Sequence, residues 1–227
     1  NLNHNRFIGE WCIESIKNLT GSLLGYGQEG EDVLLERWLG ECAQGCFVDV
    51  GAFHPIRFSN TYTFYRRGWR GLNIDATPGS MEVFNRVRPE DINIEFAVSD
   101  SEEYLRFYLF SEGALNTFDS ELAESYVSAG CELLEIQDIK PRPLSALLDD
   151  YWSHGRMITL MNIDVEGKEL EVLRSNNWEK YRPEWIILEL LDLPLMSLSG
   201  NPCVIFLLEQ GYTVVSKLMQ SVIFKRN

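Results

Sequence analysis

No apolar run in this sequence reaches the ~18 residues that a membrane-crossing helix needs, and no signal-peptide pattern follows Asn1. CxxC pairs are missing too. The cysteines Cys12, Cys42, Cys46, Cys131 and Cys203 are odd in number and scattered. That pattern disfavours a zinc site or a disulfide framework, and the expectation is reduced thiols in a cytoplasmic protein. Positive charge is scarce: Lys plus Arg is 20 against 34 for Asp plus Glu, a formal charge of −14. Such a surface repels a phosphate backbone, and the local basic group Arg66, Arg67 and Arg70 does not reverse that. Nucleic acid is therefore not the expected acceptor. Also absent are a GxGxxG turn and a GxxxxGK[ST] loop, the two glycine-rich devices that cradle phosphates.

What is present fits one globular domain over 1–227, with 45% apolar and 12% aromatic residues. Residues 1–44 read as an N-terminal helical extension, with helices over FIGEWCIESIKNL and GYGQEGEDVLLERWLG; the acids from Glu29 to Asp32 read mostly as a solvated helix face. Residues 45–227 read as the catalytic α/β core. CFVDVGAF, GLNIDAT, INIEFAVSD, MITLMNID and EWIILELL are strand-like. NTYTFYRRGW, PGSMEVFNRVR, GKELEVLRSNNW and NPCVIFLLEQGY are helix-like. YTVVSKLM and SVIFKRN form a closing hairpin. Between Ser101 and Arg156 the pattern blurs, with YLRFYLF strand-like and DSELAESYVSAG and PLSALLDDYW helix-like. Alternating strands and helices predict a parallel sheet covered on both faces, with an antiparallel strand from the terminal hairpin.

In such a sheet ligands bind beyond the carboxyl ends of the strands, where this sequence gathers Asp49, Asp75, Asp100, Asp164 and Glu189. A dinucleotide would need the missing glycines, which disfavours an NAD-type oxidoreductase. A ligand with a ribose and a positive charge but no phosphate, S-adenosylmethionine, fits better. Gly51 in DVGAF lets backbone approach its amino-acid end. An acid after the second strand can accept its ribose hydroxyls, and an acid or amide after the third can meet its adenine.

FVDVGAFHP, FSNTYTFYRRGWRGLNIDATPGSMEVFNRVRPEDINIEFAVSD, ALNTF and LMNIDVEGKELEVLRSNNWEKYRPEWIILE together resemble the FkbM-type methyltransferases, over about Gly27 to Glu189. The resemblance implies a class I methyltransferase (Rossmann-like) fold. It also implies S-adenosylmethionine-dependent O-methylation of a sugar, glycan or related natural-product hydroxyl. The rival from another class is a non-catalytic module that binds the nucleoside without turnover.

The expected cofactor residues are Asp49, Gly51, Ala52, Asp75, Ala76, Ser99 and Asp100, with Asp75 as the ribose ligand by resemblance. Gln28, Asn60 and Asn116 are the candidates for acceptor contact. For the chemistry, a base must take the acceptor proton, and Asp164, His54 and Glu166 are candidates. Alternatively Asp164 and Glu189, at the ends of neighbouring strands, hold Mg²⁺ as a Lewis acid, similar to catechol O-methyltransferase-like enzymes; Asp192 is the remaining candidate for a third oxygen.

Overall fold

The computed structural model describes residues 25–40, 44–152 and 156–227. The helix expected over FIGEWCIESIKNL lies outside the described residues. In chain order the elements are α1 (Glu31–Leu39), β1 (Cys46–Val50), α2 (Tyr62–Arg66), β2 (Arg70–Asp75), α3 (Ser80–Val87), β3 (Ile92–Glu95) and β4 (Leu105–Phe110). Then follow α4 (Ser120–Ser128), β5 (Leu133–Ile139), α5 (Leu144–Tyr151), β6 (Leu160–Ile163), α6 (Glu169–Ser175), β7 (Trp185–Glu189), α7 (Pro202–Glu209), β8 (Tyr212–Lys217) and β9 (Ser221–Arg226).

The main sheet has the order β3-β2-β1-β6-β7-β9-β8. β3, β2, β1, β6 and β7 run parallel, and β9 enters antiparallel between β7 and β8. The central strands CFVDV and LMNI are buried throughout, as strands covered on both faces must be. Val48, Val50, Leu72, Ile74, Met161, Ile163, Ile186 and Leu188 pack one face against α5, α6 and α7. Phe47, Leu160, Trp185 and Ile187 pack the other with Leu35 of α1, Phe64 of α2 and Trp69. The chain winds outward from β1 through β2 to β3, then returns to lay β6 beside β1. That reversal opens a crevice at the carboxyl ends of β1 and β6.

The second face carries a polar row as well. Asn93, Asn73, Asp49 and Asn162 are successive register partners across β3, β2, β1 and β6, so their side chains share one face. The row is held by hydrogen bonds from Asn162 Nδ2 to Asp49 Oδ1 (2.9 Å), from Asn73 Nδ2 to Asn93 Oδ1 (2.8 Å) and from Thr61 Oγ1 to Asp49 Oδ2 (2.6 Å). Arg88, just past α3 and fully buried, donates to Thr61 Oγ1 at 3.1 Å and to Asp91 Oδ2 at 2.9 Å. Its guanidinium lies over the rings of Phe47, Tyr65 and Phe84. Buried charge is thus paired and hydrogen-bonded, the condition under which it is tolerated.

Several expectations shift. The third strand stops at Glu95, where Phe96 N–H makes its last ladder bond to Asp75 O; the chain then diverges to bridge Val98 with Arg142. The acid at that strand end is therefore Glu95, not Asp100. The helix in NTYTFYRRGW is reduced to Tyr62–Arg66. LLEIQDI forms β5, which pairs antiparallel with β4 in a separate two-stranded sheet. The acids opening α1 do not face water: Glu31 is 2% and Asp32 0% exposed. Asp32 accepts from Tyr26 and Gly27 N–H and from the Thr63 hydroxyl, Glu31 from Glu29 N–H and Ser221 Oγ. Glu29 accepts from the backbone of Gln220. These acids fasten the α1 segment to α2 and to the β8–β9 turn.

Candidate functional site

The crevice between β1 and β6 deepens into a hollow with about 900 Å³ of empty space, counting its open mouth. The loops after β1, β2, β3 and β6 form its walls, and the β4–β5 unit roofs it through Phe107, Gly113, Ala114, Asn116 and Phe118. The roof is pinned on several sides. Asn116 Nδ2 donates to Thr77 Oγ1 (3.0 Å), Arg57 pairs with Glu112 (3.0 Å), and Thr117 Oγ1 donates to Glu166 O (2.6 Å).

At one end, Asp75 closes β2 with both carboxylate oxygens fixed by backbone. Phe53 N–H donates to Oδ2 (2.9 Å) and Thr77 N–H to Oδ1 (2.8 Å). Phe53 reaches that position in the left-handed region, φ 50°, a conformation costly for a bulky residue. Gly51, φ 78°, packs against the backbone of Asp164, and a Cβ there would lie 1.6 Å from Asp164 O. Gly51→Ala must therefore part β1 from β6 at the crevice. The dihedral alone costs of order 1–3 kcal/mol. The variant is expected to melt lower and to lose nucleoside affinity, which calorimetry and a thermal melt would register; unchanged binding would contradict a role for this turn.

At the other end stand the acids of DVEGKE. Asp164 follows β6, and Glu189 ends β7 beside it. Glu166, φ 52°, and Gly167, φ 99°, form a left-handed turn that brings the Glu166 carboxyl back alongside them. Asp164, Glu166 and Glu189 each offer an oxygen, and those oxygens lie within 4.8 Å of one another. Tyr126 of α4 donates to Glu166 Oε2 at 2.9 Å. Burial and the crowding of like charge push Asp164 well above the usual carboxylate range. Burial first, then Glu189, lifts Glu166 to about 8. Burial raises Glu189 too, against the lowering influence of neighbouring Asp164. Glu169, beneath the turn, accepts from Val165 and Gly167 N–H and is lifted by burial to about 7.

These carboxyls hold protons in the fold at a pH where the unfolded chain has lost them. Their stabilisation is complete below the ordinary carboxylate range and is lost as pH rises through about 7 for Glu169 and about 8 for Glu166. The lowered carboxyls Glu112 and Asp119 act only at lower pH. The melting temperature of the ligand-free protein is expected to fall between about pH 5 and pH 8.5. A flat or rising profile would contradict the burial of this cluster.

Of the residues expected from sequence, Gln28, Asp49, Gly51, Ala52, Asn60, Asp75, Ala76, Asn116, Asp164 and Glu166 line the hollow. Asp49 is 2% exposed, with both oxygens already engaged. Asn60 donates to Asn162 Oδ1 (3.1 Å) while its own Oδ1 is buried without a partner. Five expected residues do not line it, among them Asp192, whose place beside Asp164 and Glu189 is taken by Glu166. His54 Nδ1 accepts from Ile56 and Arg57 N–H and so caps its own turn. Ser99 Oγ accepts from Ser101 N–H, Asp100 is exposed, and Glu189 stands beside Asp164 without lining the hollow. Where an acid or amide was expected for adenine, the wall is apolar: Phe96, Ala97 and Val98. Sequence reasoning also missed Tyr126, Thr117 and Glu169, which hold Glu166 and its turn.

The sheet order, with its crevice at the carboxyl ends of β1 and β6, is that of the class I, Rossmann-like methyltransferase fold. The chain belongs to the FkbM methyltransferase family: the family model for the methyltransferase FkbM domain matches residues 49–212. The cofactor of that family is S-adenosylmethionine. Among solved structures, the chain is similar to a putative RNA methyltransferase from Pyrococcus horikoshii, with 10% identity, TM-score 0.45, and coverage of 87% of this chain and 83% of that one. It is also similar to a precorrin-6y C5,15-methyltransferase from Geobacter metallireducens (13% identity, TM-score 0.43, coverage 86% and 87%). A third is a TehB-like S-adenosylmethionine-dependent methyltransferase from Corynebacterium glutamicum (9% identity, TM-score 0.44, coverage 100% of each chain). No curated protein matches the chain. No helix among the described residues is long and apolar enough to cross a membrane.

Proposed function

We propose that this chain is an S-adenosylmethionine-dependent O-methyltransferase acting on a hydroxyl of a sugar, glycan or related small natural product. The observation that carries the reading is that Asp164 and Glu166, with Glu189 close against them, stand at one end of the same hollow whose other end presents the Asp75 carboxylate. S-adenosylmethionine fits the residues present. Asp75 is fixed to face ribose hydroxyls, Phe96–Val98 offers an apolar wall for the base, and bare Gly51 admits the amino-acid end. When bound, the cofactor supplies an electrophilic methyl on a sulfonium.

The chain's own part is to hold the acceptor and remove its proton. Glu166 is the base in this reading: it lines the hollow, Tyr126 and Thr117 fix it, and its proton affinity lies close to neutrality. Asp164, which also lines the hollow, orients the acceptor oxygen, with Glu189 close beside it. His54 has no part in proton removal, its Nδ1 being committed to the turn. The formal charge of −14 supports a small acceptor over a nucleic acid.

The carboxyl triad favours a second reading, in which the three oxygens hold Mg²⁺ and polarise the hydroxyl directly. Oxygens within 4.8 Å of one another are near enough to be drawn onto one ion, whose ligands at about 2.0–2.1 Å lie no more than about 4.2 Å apart. Methylation of a panel of glycans and hydroxylated metabolites, with and without chelator, separates the two. Direct base chemistry predicts full activity after exhaustive chelation, whereas activity restored only by Mg²⁺ establishes the metal form. Calorimetry with S-adenosylmethionine and NAD tests the cofactor, and binding of NAD alone would refute the methyltransferase reading. Cofactor binding with no turnover on any acceptor would favour a non-catalytic module.

A further inference from the structure

The acid end of the hollow is short of positive charge. Among the described residues that line the hollow, Lys168 is the one cation. Its ammonium is directed to Asp119 (3.3 Å) and Glu171 (3.6 Å), away from the triad. Glu189 Oε2 is buried without any hydrogen-bond partner. Three carboxyls crowd together, and among the described residues the side-chain hydrogen bond that reaches them is that of the Tyr126 hydroxyl to Glu166.

We infer that Asp164, Glu166 and Glu189 make this site select the cationic cofactor over its neutral spent form, so that S-adenosylmethionine binds more tightly than S-adenosylhomocysteine. The inference rests on the cofactor placement proposed above, ribose at Asp75 and sulfur toward the β6 end. The two nucleosides share adenine, ribose, ammonium and carboxylate, so contacts at Asp75, Gly51 and Phe96–Val98 cancel in the comparison. What remains is one methyl and one positive charge. Methyl transfer leaves the bonding pair on sulfur, which becomes a neutral thioether. A unit charge a few ångströms from a partly desolvated acid is worth more than in water. The triad thus favours loading of the reactive cofactor and release of the spent one.

Calorimetry in the presence of a chelator tests this, because a bound divalent cation would neutralise the same acids. The probes are S-adenosylmethionine, S-adenosylhomocysteine and sinefungin, whose protonated amine replaces the sulfonium. The wild-type protein is expected to prefer S-adenosylmethionine over S-adenosylhomocysteine by about tenfold, or about 1.4 kcal/mol, with sinefungin on the favoured side. Glu166→Gln and Asp164→Asn should bring the ratio toward one while changing S-adenosylhomocysteine affinity little. Equal or tighter binding of S-adenosylhomocysteine by the wild-type protein overturns the inference and leaves the cofactor reading intact. Failure of every nucleoside to bind overturns the cofactor placement, and the inference with it. Should a variant not fold, the wild-type ratio and the sinefungin result decide alone.

Discussion

Glu166→Gln is expected to lower the methylation rate by about 10²–10⁴-fold, the range for loss of a positioned base. S-adenosylhomocysteine affinity should remain within a small factor. Glutamine keeps the side-chain length and can still accept from Tyr126, but it cannot take a proton at neutral pH. The turn that presents it is independently secured, because Thr117 Oγ1 donates to the residue-166 carbonyl and Glu169 accepts from Val165 and Gly167 N–H. Tyr126→Phe removes only the donor to Glu166 Oε2 and should cost less. His54→Ala is the contrast: its Nδ1 caps a turn, so its loss is expected to touch stability more than rate. Steady-state rates on whichever acceptor the panel identifies, read as S-adenosylhomocysteine release, rank the three. A His54→Ala loss as large as that of Glu166→Gln would contradict the assignment.

Arg88→Ala carries the largest expected effect on folding, about 3–5 kcal/mol, the range for removing one partner of a buried pair. Arg88 and Asp91 are both fully shielded at the side chain, 2.9 Å apart. Without the guanidinium, Asp91 is left with only Gly71 N–H and Asn73 Nδ2, and Thr61, which hydrogen-bonds to Asp49, loses its charged donor. The melting temperature should fall by roughly 10 °C, taking ~2–4 °C per kcal/mol for a chain of this size. The double variant Arg88→Met/Asp91→Leu should recover much of the loss, because replacing both partners by apolar groups leaves no orphaned charge. A single-variant cost below about 1 kcal/mol, the level of an exposed pair, would show that the network is wet.

Arg88 also shows where the sequence stops being legible. Arg88 falls where the helix-like PGSMEVFNRVR gives way to the next strand, and nothing there announces a buried guanidinium, because Ser59 and Thr61 meet it only in three dimensions. The polar row did have a local signal: NID, NIE and NID recur in β2, β3 and β6, and DVG replaces them in β1. Period-2 alternation would have placed Asn73, Asn93, Asn162 and Asp49 on one face. The parallel strands themselves were readable because their apolar runs end in glycine or acid. β5 was not, since LLEIQDI mixes apolar and polar residues on a two-stranded sheet with one face in water. At the site, Gly51, Asp75 and Asp164 follow from strand ends. Tyr126 and Thr117 do not, because they come from the β4–β5 unit and reach Glu166 across 40 and 49 residues of chain. His54 shows the converse: it stands three residues after Gly51, yet its Nδ1 accepts from its own turn and it does not line the hollow.

A crystal structure of the protein with S-adenosylhomocysteine should show the ribose hydroxyls on the Asp75 carboxylate, adenine against Phe96–Val98, and the thioether sulfur facing Asp164 and Glu166. A nucleoside seated elsewhere, or one turned so that its sulfur points away from those acids, would contradict the proposed cofactor placement.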